Sequence, residues 1–168
     1  EECFIPLAYG GGLSTLDEIE SVFASGFEKV VIGTAALERP ELIGEAAAIF
    51  GSQAVVAAVD VGGPGFRRQV MSRGGTVGTG LDPVAWAERA AALGAGEVLL
   101  TSIDHEGTME GFDIELIHDV SAAIGVPVVA HGGAGRRKDL VLPIRSGASA
   151  VAAERRERPG ECLLEQPV

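Results

Sequence analysis

Short runs of Val, Ile and Ala alternate with stretches in which apolar residues recur every three or four positions, and the alternation continues along nearly the whole chain. Residues 3–9, 29–33, 54–61, 97–102, 127–131 and 148–153 read as strands bounded by glycine, proline or acidic residues. A helix is predicted after Ser14, which forms a capping box with Asp17 three residues on, and it runs to about Ser25. Others are predicted from Pro40, whose fixed φ suits a first turn, over 83–93, from the cap Asp113 to Ile124, and over about 138–146. The segment AVVAAVDV at 54–61 is apolar on both alternations, the pattern of a strand buried on two faces.

Strand and helix in strict alternation imply parallel βα units and an α/β fold. A closed (β/α)8 barrel needs eight strands and typically about 200 or more residues. This chain offers six units in 168 residues, opens on Glu1 and enters an apolar strand almost at once. The expectation is an incomplete TIM-type barrel over residues 1–153, holding the third to eighth of eight units. Residues 154–168, ERRERPGECLLEQPV, lose the amphipathic period and are expected to be a frayed tail. Residues 62–80 are Gly-rich and too long for an ordinary βα connection, which marks them as a candidate active-site loop.

Composition sharpens this picture. At 46% hydrophobic and 22% charged residues the chain can bury one core, and 24 glycines with 5% aromatics suit layered α/β packing. A formal net charge of −11 repels nucleic acid and anionic lipid, although local amide groups can still hold a small anion in a pocket. Cys3 and Cys162 stand in no metal-ligand spacing, and no apolar run is long enough to span a bilayer. The expectation is a cytoplasmic protein without metal or cofactor.

In parallel barrels the C-terminal strand ends carry the chemistry. Gly10-Gly11-Gly12 lies between a strand and a helix, where missing Cβ atoms let backbone N–H groups approach an anion; a tight turn with no such role fits as well. Gly132-Gly133-Ala134-Gly135 repeats the arrangement, and Gly107 supplies a third turn, so a substrate with a phosphate at each end fits. Asp60 closes a strand that is otherwise apolar, where a carboxylate has no inexpensive structural purpose, and general acid/base work is the sharper reading. Asp104 reads as a supporting loop cap, with Thr101 and Ser102 as hydroxyls lining the same pocket. Lys29 and Glu97 mark the opposite strand ends, either as a solvated ion pair or as unrelated surface charges.

Together, IPLAYGGG, EKVVIGTAALERPELI, FGSQAVVAAVD and GAGEVLLTSIDHEGTMEGFDIELI, closed by IGVPVVAHGGAG, resemble the cyclase family of imidazole glycerol phosphate synthase over nearly residues 3–153. The LLTSIDxxGTxxGFD stretch and SQAVVAAVD are the specific parts of the match. The resemblance implies a lyase and cyclase in histidine biosynthesis. Ammonia from a glutaminase partner would pass through the barrel and attack the ribulosyl carbonyl of a bisphosphorylated aminoimidazole carboxamide nucleotide. The resulting intermediate would cleave and close to an imidazole ring, with two aspartates moving the protons. Asp60 matches one of them, and the other belongs to a first strand that this sequence does not contain.

By the same resemblance, phosphate contacts fall on Gly12 and Thr34 at one end and on Gly107 and Gly133 at the other, with Gly11, Gly132, Thr101 and Asp104 beside them. Lys29 and Glu97 match half of a charged ammonia gate, whose ion-pair partners would lie on the missing strands. Glu28 and Gln53 fall where the family meets its glutaminase. Gly33 stands in place of a usual asparagine, Glu106 in place of an aspartate, and His131 in place of a small serine, where a protonated histidine would help hold the second phosphate and a neutral one, the blander reading, would narrow the pocket. Glu154 and Arg155 occupy a strand end where small residues offer N–H groups to phosphate. Tyr9 and GFEKV also resemble a paralogous branch that delivers ammonia for amidation of surface sugars. Without its first two units the chain is expected to be catalytically weak and prone to self-association.

Overall fold

A computed structural model describes residues 5–63 and 67–153. The expected tail, with Glu154, Arg155 and Cys162, lies outside the described residues, as does Cys3. The strands are β1 (Ala8–Gly10), β2 (Lys29–Ile32), β3 (Val55–Gly62), β4 (Gln69–Ser72), β5 (Val77–Gly78), β6 (Glu97–Ser102), β7 (Val128–His131) and β8 (Ala150–Val151). The helices are α1 (Leu16–Ala24), α2 (Thr34–Glu38), α3 (Glu41–Phe50), α4 (Pro83–Leu93), α5 (Ile114–Ala123) and α6 (Val141–Arg145). Six strands run parallel in the order β1-β2-β3-β6-β7-β8, each joined to the next by a helical crossover. This is the curled sheet of a partial (β/α)8 barrel, as the alternation of elements predicts.

Side chains alternate across the sheet and decide where the core sits. Val30 and Ile32, Val55, Ala57, Val59 and Val61, Val98 and Leu100, and Val128 and Ala130 are buried beneath the helices. Ile19 of α1, Leu42, Ile43 and Ala46 of α3, Trp86, Ala87 and Ala90 of α4, and Leu116, Ile117 and Val120 of α5 close over them. The other face of the sheet carries Lys29, Val31, Ala58, Asp60, Glu97, Leu99, Thr101, Val129 and His131, all half-buried. The expectation that 54–61 is buried on both faces therefore holds in full on the helix side and in part on the other, where Val56 is buried but Ala58 and Asp60 are half-buried, because the described strands curl around only part of a barrel.

Several boundaries move for local reasons. The cap of α1 is Thr15 with Glu18, not Ser14 with Asp17: the Thr15 hydroxyl accepts from the Glu18 N–H at 3.3 Å. The longer Glu18 side chain turns back to accept from the N–H groups of Ser14 (2.8 Å) and Thr15 (3.1 Å). Those bonds, the Ser14 backbone one foremost, hold its carboxyl below the usual range. Pro40 sits just before α3 rather than inside its first turn. The one-turn helix α2, unforeseen, occupies the stretch between Gly33 and Pro40. Asp82 and Asp113 cap α4 and α5 through the amides of Ala85 and Leu116.

The expected loop over 62–80 is largely a β-hairpin instead. β4 runs antiparallel to the end of β3, pairing Asp60 with Met71, and β5 returns along β4. Its polar-apolar alternation is short and interrupted by glycines, which hid it among loop residues. Among the described residues no helix is long and apolar enough to cross a membrane.

Candidate functional site

The C-terminal ends of β1, β2 and β3 meet at a cleft of about 470 Å³. Its walls include Gly11 and Gly12 after β1, Gly33 and Thr34 after β2, Asp60 on β3, and Arg73 and Gly74 from the hairpin tip. Gly11 and Gly12 have φ of +125° and +71°, and a Cβ on either would meet nothing within 4 Å. The turn needs glycine for its backbone conformation, and it leaves open space above its amides.

Parallel register places Asp60 beside Thr101 on β6 and Thr101 beside His131 on β7. Since neighbouring residues in such a ladder point to the same face, the three side chains form one polar row across an otherwise apolar surface. Burial pushes the Asp60 carboxyl above its ordinary pKa; a hydrogen bond with the Thr101 hydroxyl and the charge of His131 pull it partly back. His131 also reaches outward, with Nδ1 at 3.6 Å from the Glu106 carboxylate. The histidine that stands in place of a small residue thus faces polar groups on two sides, Thr101 on the neighbouring strand and Glu106.

Other expected residues are placed differently. Asp104 Oδ2 accepts from the Gly63 N–H at 2.7 Å, so this carboxylate ties the β6 loop to the end of β3. Thr34 Oγ1 accepts from the Arg73 N–H at 2.8 Å, fixing the hairpin tip over the cleft. Gly107, Gly132 and Gly133 are not part of the cleft wall. A Cβ on Gly132 would overlap the Ser102 carbonyl, and one on Gly133 the Gly111 carbonyl, so close backbone packing alone demands glycine at both. Ser102 is buried on the helix side, with its hydroxyl 2.9 Å from His105 Nδ1, and does not line the cleft.

At the opposite end of the sheet, Lys29 Nζ and Glu97 Oε2 lie 2.7 Å apart. The two charges reach across β3 and pair with each other, as the ion-pair reading of these two residues expects. Glu28 and Gln53 are exposed at this same end, where β2 and β3 begin. The polar hairpin contacts escaped sequence reasoning because they join residues about forty positions apart; the run Arg73-Gly74-Gly75, marking a tight left-handed tip, was the one available signal.

Fold and cleft together define a parallel α/β barrel architecture with an acid at the strand ends where such proteins do their chemistry. The chain belongs to the histidine biosynthesis protein family, whose model matches residues 1–155. It is 48% identical over 154 residues to the imidazole glycerol phosphate synthase subunit HisF of Streptomyces griseus, covering 91% of this chain and 61% of that protein. The subunit HisF of Frankia casuarinae is 46% identical over 157 residues, with 91% and 62% covered. That of Kineococcus radiotolerans is 48% identical over 162 residues, again with 91% and 62% covered. The chain thus spans about three fifths of the length of the curated relatives it matches.

Proposed function

We propose that this chain provides the cyclase site of imidazole glycerol phosphate synthase in histidine biosynthesis, with Asp60 as a general acid/base. The observation that carries the reading is the Asp60 carboxyl itself. It stands half-buried at the end of β3, in one cleft with the Gly11-Gly12 turn, and its pKa is raised by burial. A carboxyl shifted upward can both release and recover a proton nearer neutrality, as proton transfer around an attacked carbonyl requires. The names of the relatives favour this reading over the surface-sugar alternative.

Gly11, Gly12 and Thr34 would receive one phosphate of a bisphosphorylated ribulosyl nucleotide. Gly107, Gly132 and Gly133 mark the other end of the sheet's rim, where the second phosphate is proposed, with Thr101 between the two. Asp104 would act indirectly, by holding the loop after β3. Ammonia would come from a glutaminase docked at the end of the sheet that carries Glu28 and Gln53, and would pass the Lys29–Glu97 pair. A cytoplasmic setting fits this chemistry.

The test is imidazole-ring formation by the gene's full product, with ammonium salt as nitrogen source. The wild type should turn over without a glutaminase, and Asp60→Asn should lose about a hundredfold or more in kcat, the usual worth of a positioned proton carrier. Equal rates for the two would remove Asp60 from the chemistry and the proposal with it.

A further inference from the structure

The hairpin tip brings into the cleft a cation that the reading above does not use. Among the described residues that line the cleft, Arg73 is the sole positive charge, facing a wall that also holds Glu38 and Asp60. Its backbone is left-handed, with φ of +52°, although the next two positions are Gly74 (φ +63°) and Gly75 (φ +81°). A branched-free but bulky side chain in that conformation is strained, and glycine would relieve it. The strain is held in place because the Arg73 N–H donates to Thr34 Oγ1 at 2.8 Å and the Thr76 hydroxyl donates to the Arg73 carbonyl at 2.8 Å.

The Arg73 side chain is 69% exposed and its guanidinium has a loose ion pair with Glu38 at 3.6 Å. An exposed pair at that distance is weak, so the arginine can exchange Glu38 for a better anion. A phosphomonoester seated over the Gly11-Gly12 amides, beside Thr34, would offer one, because two of its oxygens match the planar guanidinium fork with two parallel hydrogen bonds. We propose that Arg73 is a substrate-binding residue of this cleft, which clamps the phosphate group resting on the Gly11-Gly12 turn after releasing Glu38. The proposal rests on the reading that this turn receives a phosphate. It adds the group that neutralises the charge there and explains why the tip carries a strained arginine where a third glycine would fit.

Ribose 5-phosphate is a suitable probe, titrated into the full chain while the amide resonances of Gly11, Gly12 and Thr34 are followed by NMR. Wild type should show saturable shifts at these amides. Arg73→Gly should weaken binding about tenfold or more while leaving the melting temperature equal or higher, because glycine relaxes the turn. Arg73→Lys should fall between the two, and Glu38→Gln should bind more tightly than wild type. Arg89→Ala, on the outer helix α4, should bind as wild type does.

Saturation at Gly11 and Gly12 that is the same in wild type and Arg73→Gly would overturn the clamp while leaving the phosphate reading of the turn intact. No shift at those amides in the wild type would overturn both. A matched fall in melting temperature and affinity in Arg73→Gly would make the arginine a structural residue, and the proposal would again fail.

Discussion

Asp60 stands half-buried beside the half-buried Ala58 on the sheet face turned away from Val59 and Val61, and it lines the cleft. Because burial raises its pKa in the folded chain above the unfolded value, the carboxyl favours folding most when protonated, and this contribution is lost as pH rises through the folded pKa. Asp60→Asn removes the burden of an ionised group, so its melting temperature at pH 7 should exceed that of wild type. The gain should shrink as the pH is lowered from 7 toward 4, because the wild-type carboxyl, with its pKa raised by burial, takes up protons on the way. Equal melting temperatures at both pH values would show that Asp60 is better solvated than its place on β3 implies. Thr101 and His131 oppose burial, so replacing either removes a stabiliser of the carboxylate. His131→Ser should therefore move the Asp60 midpoint further up in a carboxyl 13C titration. Glu106, the other charge facing this imidazole, should be kept intact in that experiment. An unmoved midpoint would mean that the imidazole charge does not reach Asp60 across the Thr101 strand.

Caps and latches decide the behaviour of single elements. Asp113 Oδ1 accepts from the Leu116 amide and from Arg68, whose guanidinium also contacts Glu115. One carboxylate therefore starts α5 and ties it to the residues leading into β4. Asp113→Ala should cost about 1–2 kcal/mol in urea melts, the usual loss for a helix cap joined to a shielded ion pair. Glu115→Ala removes an exposed contact and should cost less than about 0.5 kcal/mol. A larger loss at Glu115 than at Asp113 would reverse this account. The Asp113 cap was legible beforehand because a capping carboxylate acts on residues three positions away, and so were β6 and α4, whose bounds follow their apolar period. The Asp104–Gly63 bond was not, because it joins residues from separate βα units, and the hairpin was not, because its strands are short and broken by glycines; the Lys29–Glu97 pair was one of two readings that the residues left open. Asp60 and the Gly11-Gly12 turn could be picked out as candidates since an acid in an apolar strand and a glycine triplet are local anomalies. Their union in one cleft depends on sheet curvature, which no local pattern encodes.

At the scale of the molecule, the sheet keeps an open flank. Among the described residues β1 pairs with β2 and with no other strand. The segment that ends in it exposes Ile5, Leu7 and Tyr9 at 71%, 44% and 40%. An edge with free backbone groups and apolar side chains is a template for a second chain, so the 168-residue chain should self-associate. The net charge of −11 works against this, because two like-charged copies repel until salt screens them within about 8–10 Å. The weight-average mass from light scattering should therefore rise with protein concentration and rise further with added salt. Leu7→Lys should lower it at every salt concentration, since it adds a charge at the edge and leaves intact the Leu7 carbonyl that accepts from Glu28 and Lys29. Association that weakens in salt would instead identify charged surfaces as the contact, and a mass independent of concentration would show that the β1 flank is not adhesive.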